Sequence, residues 1–274
     1  MNGPKSVLTI AGSDSVGGAG IQADIKTIFS LGLYAASAIT AITAQNTCGV
    51  RKIQAVDSDV LAAQIDAVLE DLSVAAIKIG MVYTTDNVLA IKQSLQKNNY
   101  RGPLVLDPVL VATSGAKLAK EDFLSTFCRE LIPLCNLLTP NLSEAEALCG
   151  RQISSVSDMA DGGKEIIQRF GCRHVLIKGG HSTGNEMTDV LVMENGDIKT
   201  FTANKIDSEN THGTGCTLSS AIASFLAMGH PMEESIERGK TYVYQAIAAA
   251  KEHKMGHGHG STNHFHNLQF KQPY

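Results

Sequence analysis

Two glycine-rich stretches hold the residues best suited to chemistry. The later one, Asn210-Thr211-His212-Gly213-Thr214-Gly215-Cys216-Thr217, directly precedes a helical pattern over 218–228. Glycines at these positions let successive backbone N–H groups turn into one concavity, and the helix N-terminus adds its positive end. Together they make a receptor for a phosphoryl group in transfer. Cys216 stands at that N-terminus, where a thiolate is favoured and could take the proton of an alcohol. A small buried packing residue is the plainer reading of the same cysteine.

The earlier stretch, Gly12-Ser13-Asp14-Ser15-Val16-Gly17-Gly18-Ala19-Gly20, follows an apolar run and opens another helical pattern. Gly18-x-Gly20-x-x-Ala23 formally fits a dinucleotide fingerprint. The next strand, however, ends in Ala44-Gln45-Asn46 and lacks the acidic residue that would hold ribose hydroxyls. No Gly-x-x-x-x-Gly-Lys-Ser/Thr occurs, which excludes a P-loop. Further on, Asp107 follows the apolar run 103–106, and Asn141 and Glu144 follow Thr139-Pro140. Carboxylates and amides at neighbouring strand ends suit magnesium, although Asn-x-x-Glu is equally a helix capping box. Lys178-Gly179-Gly180-His181 closes another apolar run. A lysine leaving a buried strand either meets an anion such as a nucleotide phosphate or snorkels out of the sheet end.

Positioning such groups takes a scaffold of strands that end near one another. Apolar runs at 7–11, 75–79, 103–106, 136–138 and 174–177 read as buried strands. Helical spacing lies between and after them, at 21–31, 60–72, 88–95, 123–132, 159–170, 216–228 and 232–251. This alternation predicts an α/β fold, a mostly parallel central sheet with helices on both faces, in one domain over residues 1–274. Residues 188–193 and 199–202, around Asn195-Gly196, predict an antiparallel hairpin. Ligands of such sheets bind beyond the carboxyl ends of the strands, where the residues above fall.

The remaining composition excludes several classes. The 274 residues are 43% hydrophobic and 18% charged, with a formal net charge of −4. No basic block is present, so no nucleic-acid partner is expected. Six scattered cysteines form no Cys-x-x-Cys pair, which argues against a disulfide framework or a zinc site and fits a reducing cytoplasm. No apolar run reaches membrane-spanning length, so no membrane partner is expected.

Taken together, segments 11–27, 44–49, 78–81 (Lys-Ile-Gly-Met), 106–109 (Leu-Asp-Pro-Val), 138–145, 177–181 and 210–217 resemble the bacterial hydroxymethylpyrimidine/phosphomethylpyrimidine kinases of the ribokinase-like superfamily. The likeness runs from about residue 6 to 266. It implies a ribokinase-like fold and two successive phosphorylations by ATP with Mg2+, first of the hydroxymethyl oxygen of the thiamin pyrimidine precursor and then of the monophosphate. It further implies that Gly12, Asp24, Gln45, Met81 and Val109 line the pyrimidine pocket, Asp24 accepting from the ring amine and Met81 and Val109 sandwiching the ring. Asp107 and Glu144 would serve magnesium. Asn141, Lys178, Gly180, His181 and Thr211 would face the nucleotide, and Gly213, Gly215 and Cys216 would carry the transfer. Cys216 occupies the place of an aspartate base in more distant sugar kinases. The resemblance also implies a homodimer.

Two departures stand out. Gln45 replaces a glutamate found in some relatives, and His257 stands where relatives often have lysine. The latter lies in a segment, 255–266, whose four histidines could chelate a metal or simply form a loop near the nucleotide. A pyridoxal or pyridoxine kinase is the nearest rival, since that ring also carries a hydroxymethyl arm. A non-catalytic sensor that kept the pocket is a rival of another class.

Overall fold

The structure, a computed structural model, describes residues 3–109, 121–180 and 186–268. Its centre is one nine-stranded sheet made of β1 (Ser6–Asp14), β2 (Tyr34–Asn46), β3 (Gly49–Ala55), β4 (Val74–Ile79), β5 (Leu104–Leu106), β6 (Leu137–Leu138), β7 (His174–Ile177), β8 (Glu186–Met193) and β9 (Ile198–Asn204). The order is β3-β2-β1-β4-β5-β6-β7-β8-β9. The inner six, from β2 to β7, run parallel, while β3, β8 and β9 are antiparallel additions at the two edges. The hairpin expected around Asn195-Gly196 is β8 and β9.

Among the described residues eight α-helices cover the sheet: α1 (Gly20–Ser30), α2 (Ser58–Asp71), α3 (Thr85–Lys97), α4 (Glu121–Glu130), α5 (Leu142–Cys149), α6 (Val156–Phe170), α7 (Thr214–Met228) and α8 (Met232–Ala250). Residues of α2 to α6 pack on one face with Leu8, Ile10, Ile77, Ile79 and Leu106. Residues of α1, α7 and α8 pack on the other with Val7, Ala76, Val105, Leu137 and Leu176. Apolar groups on both faces are why the inner strands read as unbroken apolar runs. Among the described residues no helix is long and apolar enough to cross a membrane.

Two features of this topology place the site. The chain passes from β1 to β2 on one side and then crosses to β4 on the other. That reversal opens a crevice at the carboxyl ends of β1 and β4. Side chains also alternate along a strand, so residues two apart share a face. Thr9, Lys78, Asp107, Thr139 and Lys178 each lie two residues beyond Val7, Ala76, Val105, Leu137 and Leu176. All five therefore emerge on the α7 face, just where the apolar layer ends.

Candidate active site

The first glycine-rich loop is wound around a carboxylate of its own chain. Asp14, at the end of β1, accepts hydrogen bonds through Oδ2 from the N–H groups of Gly18 (3.0 Å) and Ala19 (2.8 Å), and through Oδ1 from Val16 (3.1 Å). His212 of the second loop brings Nε2 to 2.9 Å from the same Oδ2. Burial pushes the Asp14 carboxyl up, but His212 and the loop amides outweigh it and hold the group below the usual carboxylate range. The two loops touch again at Gly213, the residue before α7. Its φ is +81°, and a Cβ there would overlap the carbonyl oxygen of Gly18. A third contact is the thiol of Cys216, which accepts from the N–H of Gly20.

Beneath the second loop lies a charged floor. Asp107 is buried just past β5, and Lys178 just past β7 donates to its Oδ1 at 2.9 Å. Thr139 donates to the same oxygen at 3.2 Å, and Ser219 of α7 donates to Oδ2 at 3.3 Å. Burial opposes both charges, yet each is kept by the other. Lys178 and Lys78 hold Asp107 below its ordinary range, while Asp107 and Glu144 hold Lys178 above its own. A Cβ placed on Gly215 would stand 3.4 Å from Lys178 Nζ and 3.6 Å from Asp107 Oδ2. The first turn of α7 thus sits directly over this pair, and because the Thr214 N–H bonds the Thr211 carbonyl at 3.2 Å, the N–H groups it can offer a ligand are those of Gly215 and Cys216. Lys178 accordingly meets an anion instead of snorkelling out.

Asn141 and Glu144 form the capping box that their spacing allows. Asn141 Oδ1 accepts from Glu144 N–H at 2.9 Å, and Glu144 Oε2 accepts from Asn141 N–H at 2.8 Å. Glu144 is buried there and faces Lys178. Among the described residues no three His, Cys, Asp or Glu side chains converge as a metal cage, in the histidine-rich segment or elsewhere. Lys178, Thr139 and Ser219 all donate to Asp107, so a magnesium on this carboxylate would share its oxygens with them and draw its remaining ligands from phosphate oxygens and water.

Asp24 departs from its expected place in the pyrimidine pocket. Its side chain is fully buried in α1. Both carboxylate oxygens are taken by Lys78 Nζ (2.9 and 2.8 Å), with Ser220 donating to Oδ1 and Thr9 to Oδ2, each at 2.6 Å. No lone pair of this carboxylate is presented to a ring amine, because Asp24 sits on the helix face turned to the sheet. The thiolate reading of Cys216 is also corrected. Burial pushes its thiol up to about 11, and Lys78 offsets only part of that, so the helix end alone does not make it a thiolate.

The other expected pocket residues gather at the β1/β4 crevice. A Cβ on Gly12 would overlap Met81 Cε, so the glycine is what lets β1 lie against this methionine. Gln45, at the end of β2, has its Nε2 3.3 Å from His212 Nε2, and Val109 follows Asp107 half-buried. Gly180 and Thr211 are exposed at the rim. His181 lies outside the described residues. The histidine-rich segment folds back over the loops: Thr47 Oγ1 accepts from the N–H groups of His257 (3.2 Å) and Gly258 (3.1 Å).

Sequence reasoning gave no role to Lys78, His212, Thr139, Ser219 or Ser220. A lysine inside the apolar run 75–79 was the available signal for the first, since lysine is almost never fully buried without a partner. The hydroxyls carry no comparable mark.

A nearly parallel sheet edged by antiparallel strands, with a glycine-rich helix start above an Asp–Lys pair, defines the ribokinase-like small-molecule kinases. The description "Phosphomethylpyrimidine kinase" belongs to the family model that matches residues 14–263. The chain is 47% identical over 259 residues to the hydroxymethylpyrimidine/phosphomethylpyrimidine kinase of Rhizobium meliloti, covering 94% of this chain and 96% of that one. A solved phosphomethylpyrimidine kinase from Clostridium difficile is 44% identical, with a TM-score of 0.78 over 89% of this chain and 99% of that one. An ADP complex of Bacillus subtilis pyridoxal kinase superposes with a TM-score of 0.87 at 32% identity, over 96% of this chain and 98% of that one. The chain belongs to the phosphomethylpyrimidine kinase family.

Proposed function

We propose that the protein transfers the γ-phosphoryl group of ATP to 4-amino-5-hydroxymethyl-2-methylpyrimidine and then to the resulting monophosphate, forming the diphosphate for thiamin biosynthesis. The observation that carries this reading is the Gly213–Cys216 turn held over Asp107 and Lys178 at the mouth of the crevice. The N–H groups of the first turn of α7 would stabilise the phosphoryl in flight, and Lys178 would neutralise phosphate charge beside Asn141 and Gly180. Magnesium, held by Asp107 with Glu144 close by, would supply charge neutralisation on the nucleotide phosphates. Gln45, Met81, Val109 and the open backbone at Gly12 would grip the flat ring. A homodimer, which rests on the resemblance, and a cytoplasmic setting, which rests on the six scattered cysteines, belong to the same proposal.

The two steps ask different things of the site. In the first, the alcohol oxygen bonds to the γ-phosphorus, the bond from that phosphorus to the β-bridging oxygen breaks, and the alcohol proton must leave. Cys216 would receive it, provided that its thiol has first given up its own proton. In the second, the attacking oxygen belongs to a phosphate monoester whose second pKa is about 6, so at neutral pH it arrives without a proton. Positioning and charge then suffice.

The pyridoxal kinase likeness favours one alternative, a pyridine alcohol as substrate. Purified protein with ATP and magnesium, offered hydroxymethylpyrimidine, its monophosphate, pyridoxal and pyridoxine in parallel, separates the readings when products are identified by mass. Both pyrimidines are expected to be phosphorylated well ahead of the pyridines. A faster pyridine would move the assignment to vitamin B6 salvage, and no ATP consumption with any of them would leave a sensor.

A further inference from the structure

The side-chain amide of Gln45 lies between two groups whose own hydrogens are already committed. Its Oε1 is 3.3 Å from Thr43 Oγ1 and its Nε2 is 3.3 Å from His212 Nε2. The Thr43 hydroxyl has a single proton, and the Ser13 carbonyl takes it at the shorter distance of 2.9 Å, so only lone pairs are left on the side of Gln45. His212 Nε2 stands 2.9 Å from Asp14 Oδ2, an oxygen that also accepts from the N–H groups of Gly18 and Ala19. A ring nitrogen that close to a carboxylate oxygen carries its hydrogen there, whether the imidazole is neutral or charged. The amide carbonyl thus faces an acceptor, and the amide NH2 faces a donor. A half-turn about the last side-chain bond exchanges two atoms of nearly equal size and satisfies both contacts. His212 itself has little freedom. Its ring covers Gly18, where a Cβ would overlap Cδ2, and its backbone N–H donates to the Gly260 carbonyl at 3.0 Å.

We infer that His212, held by Asp14, is a positioning residue that fixes the Gln45 amide with its carbonyl oxygen on the His212 side and its NH2 on the Thr43 side, and so sets which edge of a substrate ring the site accepts. This rests on the proposed contact of Gln45 with the pyrimidine. Once His212 and Thr43 are served, the amide keeps one lone pair and one hydrogen for a ligand. An acceptor next to a donor matches an amine beside a ring nitrogen, the edge that an aminopyrimidine presents and a vitamin B6 pyridine lacks. The ring amine needs such an acceptor, because the Asp24 carboxylate is spent on Lys78, Ser220 and Thr9. The fixed amide admits the ring one way round only. It also gives a reason for glutamine at this position, since a glutamate carboxylate has no hydrogen for Thr43.

NMR of the isotope-labelled, ligand-free protein reads the arrangement without turnover. His212 Nε2 should carry a hydrogen, and the Gln45 NH2 hydrogens should show nuclear Overhauser contacts to Thr43 in preference to the His212 ring. An Nε2 without a hydrogen, or contacts the other way round, would overturn the inference. Kinetics then tests the consequence with the pyrimidine alcohol and its analogue bearing hydrogen in place of the amine. The parent protein should prefer the amine form by at least about tenfold in kcat/KM. His212→Phe keeps a ring over Gly18 but has no N–H, and should lose most of that preference through KM more than kcat, with the KM for ATP nearly unchanged. His212→Gln can place a donor where Nε2 was and should restore it. Gln45→Ala should lose the same preference, and adding His212→Phe to it should cost no more. A preference that persists in folded His212→Phe, or that falls further in the double variant, would also overturn the inference. Should His212→Phe not fold, the NMR result decides. If neither pyrimidine is phosphorylated while the NMR shows the inferred arrangement, the proposed function fails and the positioning of Gln45 by His212 stands.

Discussion

Cys216 is pulled two ways. Burial raises the proton affinity of its thiol, while Lys78 and the N–H of Gly20 lower it, and the balance favours the protonated sulfur. A sulfur can take the alcohol's proton only as a thiolate, so the proposed base role requires that the thiol first lose its own proton. Cys216→Ala should therefore cost about 10²- to 10⁴-fold in turnover on the alcohol, the usual range for losing a general base. The same variant should spare the monophosphate, whose oxygen arrives without a proton, and leave the KM for ATP unchanged. Steady-state kinetics on each substrate separately checks this, and equal losses would remove the cysteine as a base. Lys178 belongs to the other half of the chemistry. With Asp107 as its partner it stays charged, so Lys178→Met should weaken both steps alike.

At the scale of elements, the site is a contact between two loops more than a property of either. Asp14 binds its own loop and His212, Gly213 lies against Gly18, and Cys216 reaches Gly20. Gly213→Ala should therefore act twice. The left-handed backbone costs an L-residue roughly 1–2 kcal/mol, and the methyl must also displace the Gly18 carbonyl, separating the loops. A drop of a few degrees in Tm together with at least about a tenfold loss of turnover on both substrates is expected. Full activity in a destabilised variant would show that the loops need not touch. A parallel case is Asp189 of β8, which accepts from the N–H of Gly179 at 2.8 Å and pairs with Lys240 of α8, fixing the glycine turn after Lys178.

Much of this scaffold was legible in the sequence because strands buried on both faces leave apolar runs, and the groups that follow them must emerge at the ligand edge. Asp107, Lys178 and the Gly213–Cys216 turn were found that way. β3 was not, since Arg51 and Lys52 interrupt its apolar residues and an edge strand needs no continuous run. The Lys78–Asp24 pair joins residues 54 apart, and the Asp14–His212 pair joins residues 198 apart. Neither separation leaves a local period. Asp24 illustrates the cost: its type and neighbours suit a ligand contact, but which way α1 turns it is decided by packing.

At the scale of the whole molecule, the chain's last described segment closes back onto α7, and one histidine makes that closure sensitive to pH. His264 is buried, with Nε2 3.0 Å from Thr217 Oγ1 in the first turns of α7. The Thr217 hydroxyl gives its proton to the Gly213 carbonyl, so the imidazole donates from Nε2. Tyr242 of α8 donates to the His264 carbonyl at 2.8 Å and packs its ring on His266, with centroids 4.7 Å apart. Asn267 donates to the Ser30 carbonyl at the end of α1. Burial, with Lys26 and His266 nearby, pushes His264 down to about 4 from 6.5. Below about pH 6.5 the unfolded chain takes up a proton here that the folded one refuses until about pH 4, so stability is lost as pH falls through that window, by on the order of 3 kcal/mol in all. His264→Gln keeps a donor for Thr217 without the titration. Its Tm should fall less between pH 6.5 and 4.5 than that of the parent protein, as thermal melts at several pH values would show. Because Thr217 also holds the Gly213 carbonyl, the parent's turnover should decline along with its stability over the same range. Parallel melting curves for the two proteins would mean that the closing segment leaves α7 before the histidine is protonated.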